Sequence, residues 1–157
     1  MPKTSAYEVA IGINQVKITN PEKVFWPGQG YTKGDMINYY SQVAPYLLPY
    51  LQSRPLVLVR YPHGAEGEYF YQKSCPAYAP EFVATAPVPH GPDKTINYIL
   101  CNNVETLIWI ANQGAIEIHP WYSRYPTRFQ APLSNTFHAQ TLRCNAGAGP
   151  WLRVAFF

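Results

Sequence analysis

At 157 residues, with Lys+Arg 12 against Asp+Glu 9, the chain has a formal net charge of +3 and the length of one ordinary domain, enough to bury a core without covalent staples. Only 13% of its residues are charged while 15% are aromatic, against about 25% charged in a typical soluble domain, a balance that excludes bulk disorder and permits a nucleic-acid partner without arguing for one. No apolar run reaches the ~18 residues of a membrane span, the N-terminus leads into no apolar signal segment, and Cys75, Cys101 and Cys144 form neither a CxxC pair nor a disulfide framework, so no membrane partner is expected and a reducing, cytoplasmic setting is.

Residues 7–19 alternate loosely, with Val9, Ile11, Ile13, Val16 and Ile18 apolar, and predict an early strand or hairpin. Asn20-Pro21-Glu22 reads as a turn, and Phe25-Trp26-Pro27-Gly28 as a loop with a buried aromatic anchor. Thr32 then predicts a helix N-cap with Asp35 as its capping-box acid. Ile37, Tyr40, Ala44, Leu47 and Leu51 follow at helical spacing. Pro45, seconded by Pro49, is expected to bend or divide that helix, because proline removes a donor and crowds the preceding turn. After Arg54-Pro55 come a strand at 56–61, a turn at Pro62-His63-Gly64, a strand at 69–73, a short strand near Phe82–Ala86 and another at 95–100. Asn102 with Glu105 predicts a second capped helix that Gly114 stops, and Ala115–Ile118 a short buried strand running into His119-Pro120-Trp121. Helices and strands alternate, so the class is mixed α and β. Past Arg124 the pattern fades. Residues 125–157 offer Pro, Gly and Ala, with no periodic face and no caps.

The acids are placed unevenly. The last carboxylate is Glu117, and the stretch from Ile118 to Phe157 holds none, yet keeps Arg124, Arg128, Arg143 and Arg153. No Asp-x-Asp occurs anywhere, and no phosphate-cradling glycine motif. The four histidines and three cysteines lie at no metal-ligand spacing.

Several segments match one family in order. They are Ile18-Thr19-Asn20-Pro21-Glu22-Lys23-Val24-Phe25 and Thr32-Lys33-Gly34-Asp35. Arg54-Pro55-Leu56, Arg60-Tyr61-Pro62-His63-Gly64, Phe70-Tyr71-Gln72-Lys73 and Pro80-Glu81-Phe82-Val83 follow. The run from Asn103 to Gly114 and on to Arg124 closes the series. Each motif alone is weak; their order and density over roughly residues 16–124 are specific. This stretch resembles the polymerase domain of bacterial and archaeal DNA ligase D, in the archaeo-eukaryotic primase superfamily, which works in non-homologous end joining. The resemblance implies the N-terminal portion of an α/β primase-polymerase fold, with residues 1–124 as a partial domain and 125–157 as an unmatched tail. It implies templated nucleotide addition at a broken DNA end, with recognition of a 5′-phosphate.

Residue by residue, Lys23 and Lys33 match the two lysines the family places on the 5′-phosphate. Lysine is a mobile point charge suited to phosphate, and Lys33 opens a helix, where free N–H groups and the dipole favour an anion. The plain alternative is two solvated surface lysines. Phe70 and Tyr71 match an aromatic pair that stacks near the template base. Neighbours on a strand face opposite ways, so one of them is expected in the core, and ordinary strand packing is the alternative. Arg60 is a candidate nucleic-acid contact or a flank of the hairpin, and Val59 departs from family members that carry lysine there. His119 matches a histidine near the catalytic centre; the alternative is a histidine bonded to backbone under Trp121.

The family holds two divalent metals, Mn or Mg, by an Asp-x-Asp, a Ser-x-His and a further Asp downstream of the His-Pro-Trp segment. Such metals need oxygen ligands, mostly carboxylates, and the acid-free stretch supplies none. The chain alone is therefore expected to be inactive, with an incomplete catalytic sheet. Three readings remain. The chain is a partial ligase-D-type polymerase domain that binds 5′-phosphate DNA ends, taking nucleoside triphosphates only if a partner chain supplies the acids. It is a non-catalytic end-recognition module acting with a ligase, a polymerase or an end-bridging protein. Or it is a decayed or frameshifted gene product with no function. The first is preferred, with a cytoplasmic, nucleoid-associated location.

Overall fold

The computed structural model describes residues 5–126 and the backbone of Arg153–Val154. The N-terminal alternation becomes a separate hairpin of β1 (Ala6–Ile11) and β2 (Asn14–Thr19), antiparallel and in register from Ala6↔Thr19 to Ile11↔Asn14. Val16 and Ile18 bury one face of β2. Phe25, expected in a loop, lies instead in a short strand, β3 (Val24–Trp26), paired with β4 (Tyr31–Thr32). Its ring is the buried anchor that the sequence suggested, 2% exposed.

Helix α1 (Lys33–Leu51) starts on the capping box as expected: the Thr32 hydroxyl accepts from the Asp35 N–H while the Asp35 carboxylate accepts from the Thr32 N–H. It runs unbroken through Pro45 and Pro49. Both prolines face solvent, as does Ser41 one turn before Pro45. The carbonyls deprived of a partner therefore lie on the wet side of the helix, where water serves them. Met36, Tyr40, Ala44, Leu47 and Leu51 form the buried face. The buried Tyr40 hydroxyl donates to the Ala115 carbonyl at 2.8 Å.

The main sheet has six strands, in the order β10–β9–β5–β8–β7, with β6 also on β5. At its centre, β5 (Pro55–Arg60) pairs antiparallel along one edge with β9 (Ala115–Pro120). The other edge is shared: its start pairs with β8 (Thr95–Leu100) and its end with β6 (Phe70–Gln72). The strand sought near Phe82–Ala86 is β7 (Ala84–Pro89), shifted onward. Among the described residues it is an edge strand, where Pro87 and Pro89 are tolerated because no further described ladder needs their missing donors. β10 (Arg153–Val154) lies parallel beside Glu117 and Ile118 of β9. The rest of the acid-free tail lies outside the described residues.

Helix α2 (Val104–Asn112) is capped by Asn103 rather than Asn102; the Asn103 side chain accepts from the Thr106 N–H at 2.9 Å. Glu105 therefore sits one position too early to close a capping box, and accepts from Asn14 at the hairpin turn instead. Gly114 ends the helix segment as expected. Its φ is +77, and a Cβ there would lie 3.1 Å from the Tyr61 carbonyl oxygen. Both helices cover one face of the sheet. Leu56, Leu58 and Ile118 meet Leu107, Ile110 and Leu51 in a single core. The opposite face carries a smaller cluster of Ala86, Val88, Tyr98 and Leu100, with Val57 and Trp121 against it.

Candidate functional site

Three cations converge at one end of the helix-covered face. Lys23, from the turn before β3, Lys33, from the first turn of α1, and Arg60, from the end of β5, line an open pocket of about 200 Å³ with Thr19, Asn20, Asn112, Gln113 and Gly114. Among the described residues, no carboxylate forms an ion pair with any of the three.

Each cation is fixed by neutral oxygen. Lys33 is only 6% exposed; its ammonium donates to the Thr19 carbonyl at 2.5 Å and to the Thr19 hydroxyl at 3.1 Å. Thr19 is pinned in turn, because the Asn112 side-chain oxygen accepts from the Thr19 N–H at 3.0 Å while the Asn112 amide donates to the Lys17 carbonyl at 2.9 Å. Lys23 donates to the Pro62 carbonyl at 2.6 Å. Burial first, then the charges of Lys23 and Arg60, press the Lys33 ammonium down to a pKa of about 8, with Glu22 acting weakly the other way.

One expectation about this pocket fails. The first N–H groups of α1 are not open to an anion. The Lys33 N–H donates to the Lys23 carbonyl at 2.8 Å, the Gly34 N–H to the Pro21 carbonyl at 2.7 Å, and the Asp35 N–H to the Thr32 hydroxyl. Attraction for an anion here comes from side-chain charge, with the helix terminus already spent on the fold.

Arg60 is the most tightly held. Its Nε donates to the Gln113 carbonyl at 2.9 Å and one Nη to the Gln113 side chain at 3.0 Å. The other Nη reaches Gln72 at 2.9 Å and the Tyr78 hydroxyl at 3.1 Å. The guanidinium carbon lies 5.2 Å from the centroid of the Phe70 ring. Phe70 pairs with Arg60 across β5 and β6. The expectation that either Phe70 or Tyr71 enters the core is not met, since they are 45% and 60% exposed. β6 has only three residues, none of them buried.

Tyr71 pairs with Val59, whose other neighbour is Glu117, so it belongs to the opposite face from the cationic pocket. His119, paired with Val57, is on that opposite face too. It is buried, with its Nε2 3.2 Å from the Glu117 carboxylate. Glu117 also accepts from the Tyr61 hydroxyl at 3.1 Å. His119 thus has a carboxylate partner that the sequence reading did not anticipate, and Trp121 packs edge-on against Tyr98 at 5.0 Å. Sequence reasoning had passed over Glu117, Tyr61, Gln113, Gln72 and Tyr78. A Glu-x-His on a strand does put both side chains on one face, a signal available for Glu117. Nothing in the spacing indicates that Gln113 meets Arg60.

Among the described residues, no group of three or more His, Cys, Asp and Glu is arranged to hold a metal ion. Glu117 and His119 offer two donors already joined to each other. These residues do not fit a two-metal centre. No helix among the described residues is long and apolar enough to cross a membrane.

The comparisons with known proteins bear on the whole arrangement. The family model for the LigD primase-polymerase domain matches residues 32–137, running past Arg124 into the tail. The chain belongs to the LigD primase-polymerase domain family. Over 119 residues it is 35% identical to the bifunctional non-homologous end joining protein LigD of Bacillus subtilis, covering 76% of this chain and 19% of that protein. It is 32% identical over 120 residues to the multifunctional LigD of Mycolicibacterium smegmatis, covering 76% of this chain and 16% of that one. The chain thus spans less than a fifth of the length of these relatives. Among solved structures it is similar to the polymerase domain from Mycobacterium tuberculosis Ligase D in complex with DNA. That match has a TM-score of 0.68 and 33% identity, and covers 74% of this chain and 40% of that one. The mixed α/β sheet is therefore part of a LigD polymerase domain fold.

Proposed function

We propose that this chain acts in non-homologous end joining by binding DNA ends that carry a 5′-phosphate, with Lys23 and Lys33 on the phosphate and Phe70 as a stacking surface for a nearby base. The observation that supports this most is the convergence of Lys23, Lys33 and Arg60 on one pocket, held by neutral oxygens and not ion-paired among the described residues. Desolvating a cation without a counter-charge costs free energy, and a fold that buries Lys33 in this way beside two further cations is suited to a ligand bringing negative charge. A terminal phosphate with about −1.5 to −2 charges near pH 7 meets that need better than an internal phosphodiester with one. The exposed Phe70 ring adds a base-stacking face that tolerates any sequence. Such a role places the protein on DNA, in the cytoplasm with the nucleoid.

The chemistry of nucleotide addition is not assigned to this chain. The stretch from Ile118 to Phe157 brings no carboxylate, so nucleoside triphosphates and Mn or Mg enter the proposal only with a second chain that supplies acids. The same absence favours, as a second reading, an end-recognition module that presents the 5′-phosphate to a partner ligase, polymerase or end-bridging protein.

The test is a titration of gapped duplex DNA, with 5′-phosphate or 5′-hydroxyl at the gap, followed by fluorescence anisotropy. The phosphorylated form should bind more tightly, with a preference that shrinks as salt rises, because ion release drives such contacts. Lys33→Ala should erase most of the difference. Equal affinity for both ends at low salt would overturn the assignment.

A further inference from the structure

One side chain touches both the cationic pocket and the exposed Phe70 ring. Arg60 lines the pocket with Lys23 and Lys33, and its guanidinium lies against the Phe70 ring at 5.2 Å. We propose that Arg60 is a positioning residue that couples the two, so that a 5′-phosphate in the pocket sets the orientation of Phe70 for the base it stacks on. This rests on the proposed DNA-end role and extends it.

Three features support the coupling. First, the guanidinium is preorganised. Gln113 takes two of its N–H groups, and Gln72 and Tyr78 take two more. Of the five donors arginine carries, these contacts use four and leave one for an incoming oxygen. Second, all those partners are neutral, so the full positive charge stays available to an anion and to the ring face. Third, one partner is the carbonyl of Gln113, the C-cap of α2. Helix C-termini carry partial negative charge, which would repel a phosphate. Arg60 covers it, so the pocket presents net attraction. Tyr78 donates in turn to the Gln113 side chain at 3.1 Å, which fixes the plane of the fork. A phosphate drawing Arg60 toward Lys23 and Lys33 would pull on the same group that supports Phe70. Lysine in place of Arg60 keeps the charge but has no planar fork to span both contacts.

The experiment uses the full chain and a gapped duplex with 2-aminopurine in the template strand at the gap, bearing 5′-phosphate or 5′-hydroxyl. Anisotropy reports affinity, and quenching of the base at saturating protein reports stacking. Native protein should bind the phosphorylated gap more tightly and quench its base at least twofold more than the hydroxyl form. Phe70→Ala should abolish the quenching. Arg60→Lys should leave residual quenching that no longer depends on the phosphate, whereas Arg60→Gln should lower both readouts. A phosphate preference in the native protein with identical quenching for the two ends overturns the coupling while leaving end recognition standing. Loss of the preference itself removes both. If Arg60→Lys still shows phosphate-dependent quenching, the link runs through another residue and the inference fails. The native comparison stands even if a variant does not fold.

Discussion

Raising the pH from 7 to 9 should strip the pocket of one of its charges. Lys33 is buried beside two other cations and titrates near 8, not at its ordinary 10.5. A terminal phosphate loses its second proton near pH ~6, so over this range the DNA keeps its charge and Lys33 changes. If the ammonium form alone binds, the competent fraction falls from about nine-tenths at pH 7 to about one-tenth at pH 9, a loss of affinity of roughly tenfold, or ~1.4 kcal/mol. Binding at pH 8 should take up roughly half a proton per site, because the bound phosphate draws the Lys33 equilibrium back to the charged form. Stability moves the opposite way: between about 8 and 10.5 the unfolded chain holds the Lys33 proton and the folded one does not, so the fold gains from rising pH there. Calorimetry of phosphorylated gapped DNA at pH 7, 8 and 9, in buffers of different ionisation heat, measures both affinity and proton uptake. The same titration of Lys33→Arg, whose charge persists throughout, should be flat. An affinity independent of pH in the native protein, with no proton uptake at pH 8, would refute the account of Lys33.

Other outcomes follow from the packing and the composition. Gly114→Ala places a Cβ 3.1 Å from the Tyr61 oxygen at φ +77 and should cost about 1–3 kcal/mol in urea denaturation; an unchanged midpoint would contradict the strain. Leu107→Ala, at a side chain with no exposure in the core between sheet and helices, should cost about 2–5 kcal/mol by the same assay, and a cost below ~1 would mean the core collapses around it. Thr32→Ala removes the hydroxyl half of the α1 capping box and should lower stability by about 1 kcal/mol, read by thermal melting. The pure chain should extend no primer with Mg or Mn, since the stretch after Glu117 carries no carboxylate; extension abolished by EDTA would show that acids from elsewhere in the chain suffice.

The elements that the sequence revealed best are those whose signals are local. Thr32 and Asp35 are three residues apart, and their box forms as read. The alternation of 7–19 gives a hairpin, and residues 95–100 give β8. Errors arose where neighbours compete. Two asparagines stand before α2, and only the fold decides that Asn103 caps it and Glu105 turns to Asn14. Pro45 and Pro49 obey the rule against helix prolines only where the lost donor matters, and on a wet face it does not. For the site, residue identities came from the resemblance, but their grouping came from the fold. Arg60 and Gln113, or Lys33 and Thr19, meet because strands and helices bring distant segments together, and a linear pattern carries no such distance. The occupied N-terminus of α1 was illegible for the same reason: its acceptors are the carbonyls of Pro21 and Lys23, whose path depends on the turn between hairpin and β3.

The Thr19–Asn112 clasp bears on how the protein can be dissected. The region that carries the family signature begins at residue 32, but the amine of Lys33 is held by Thr19, and Thr19 is held by α2 through Asn112. An expression boundary drawn at the signature would keep most of the sheet and both helices while discarding Lys23 and releasing Lys33 from its tether. The hairpin, which adds no strand to the main sheet, acts as a splint across the two helices. Trimming it should yield a protein whose spectroscopic fold survives better than its grip on an anion.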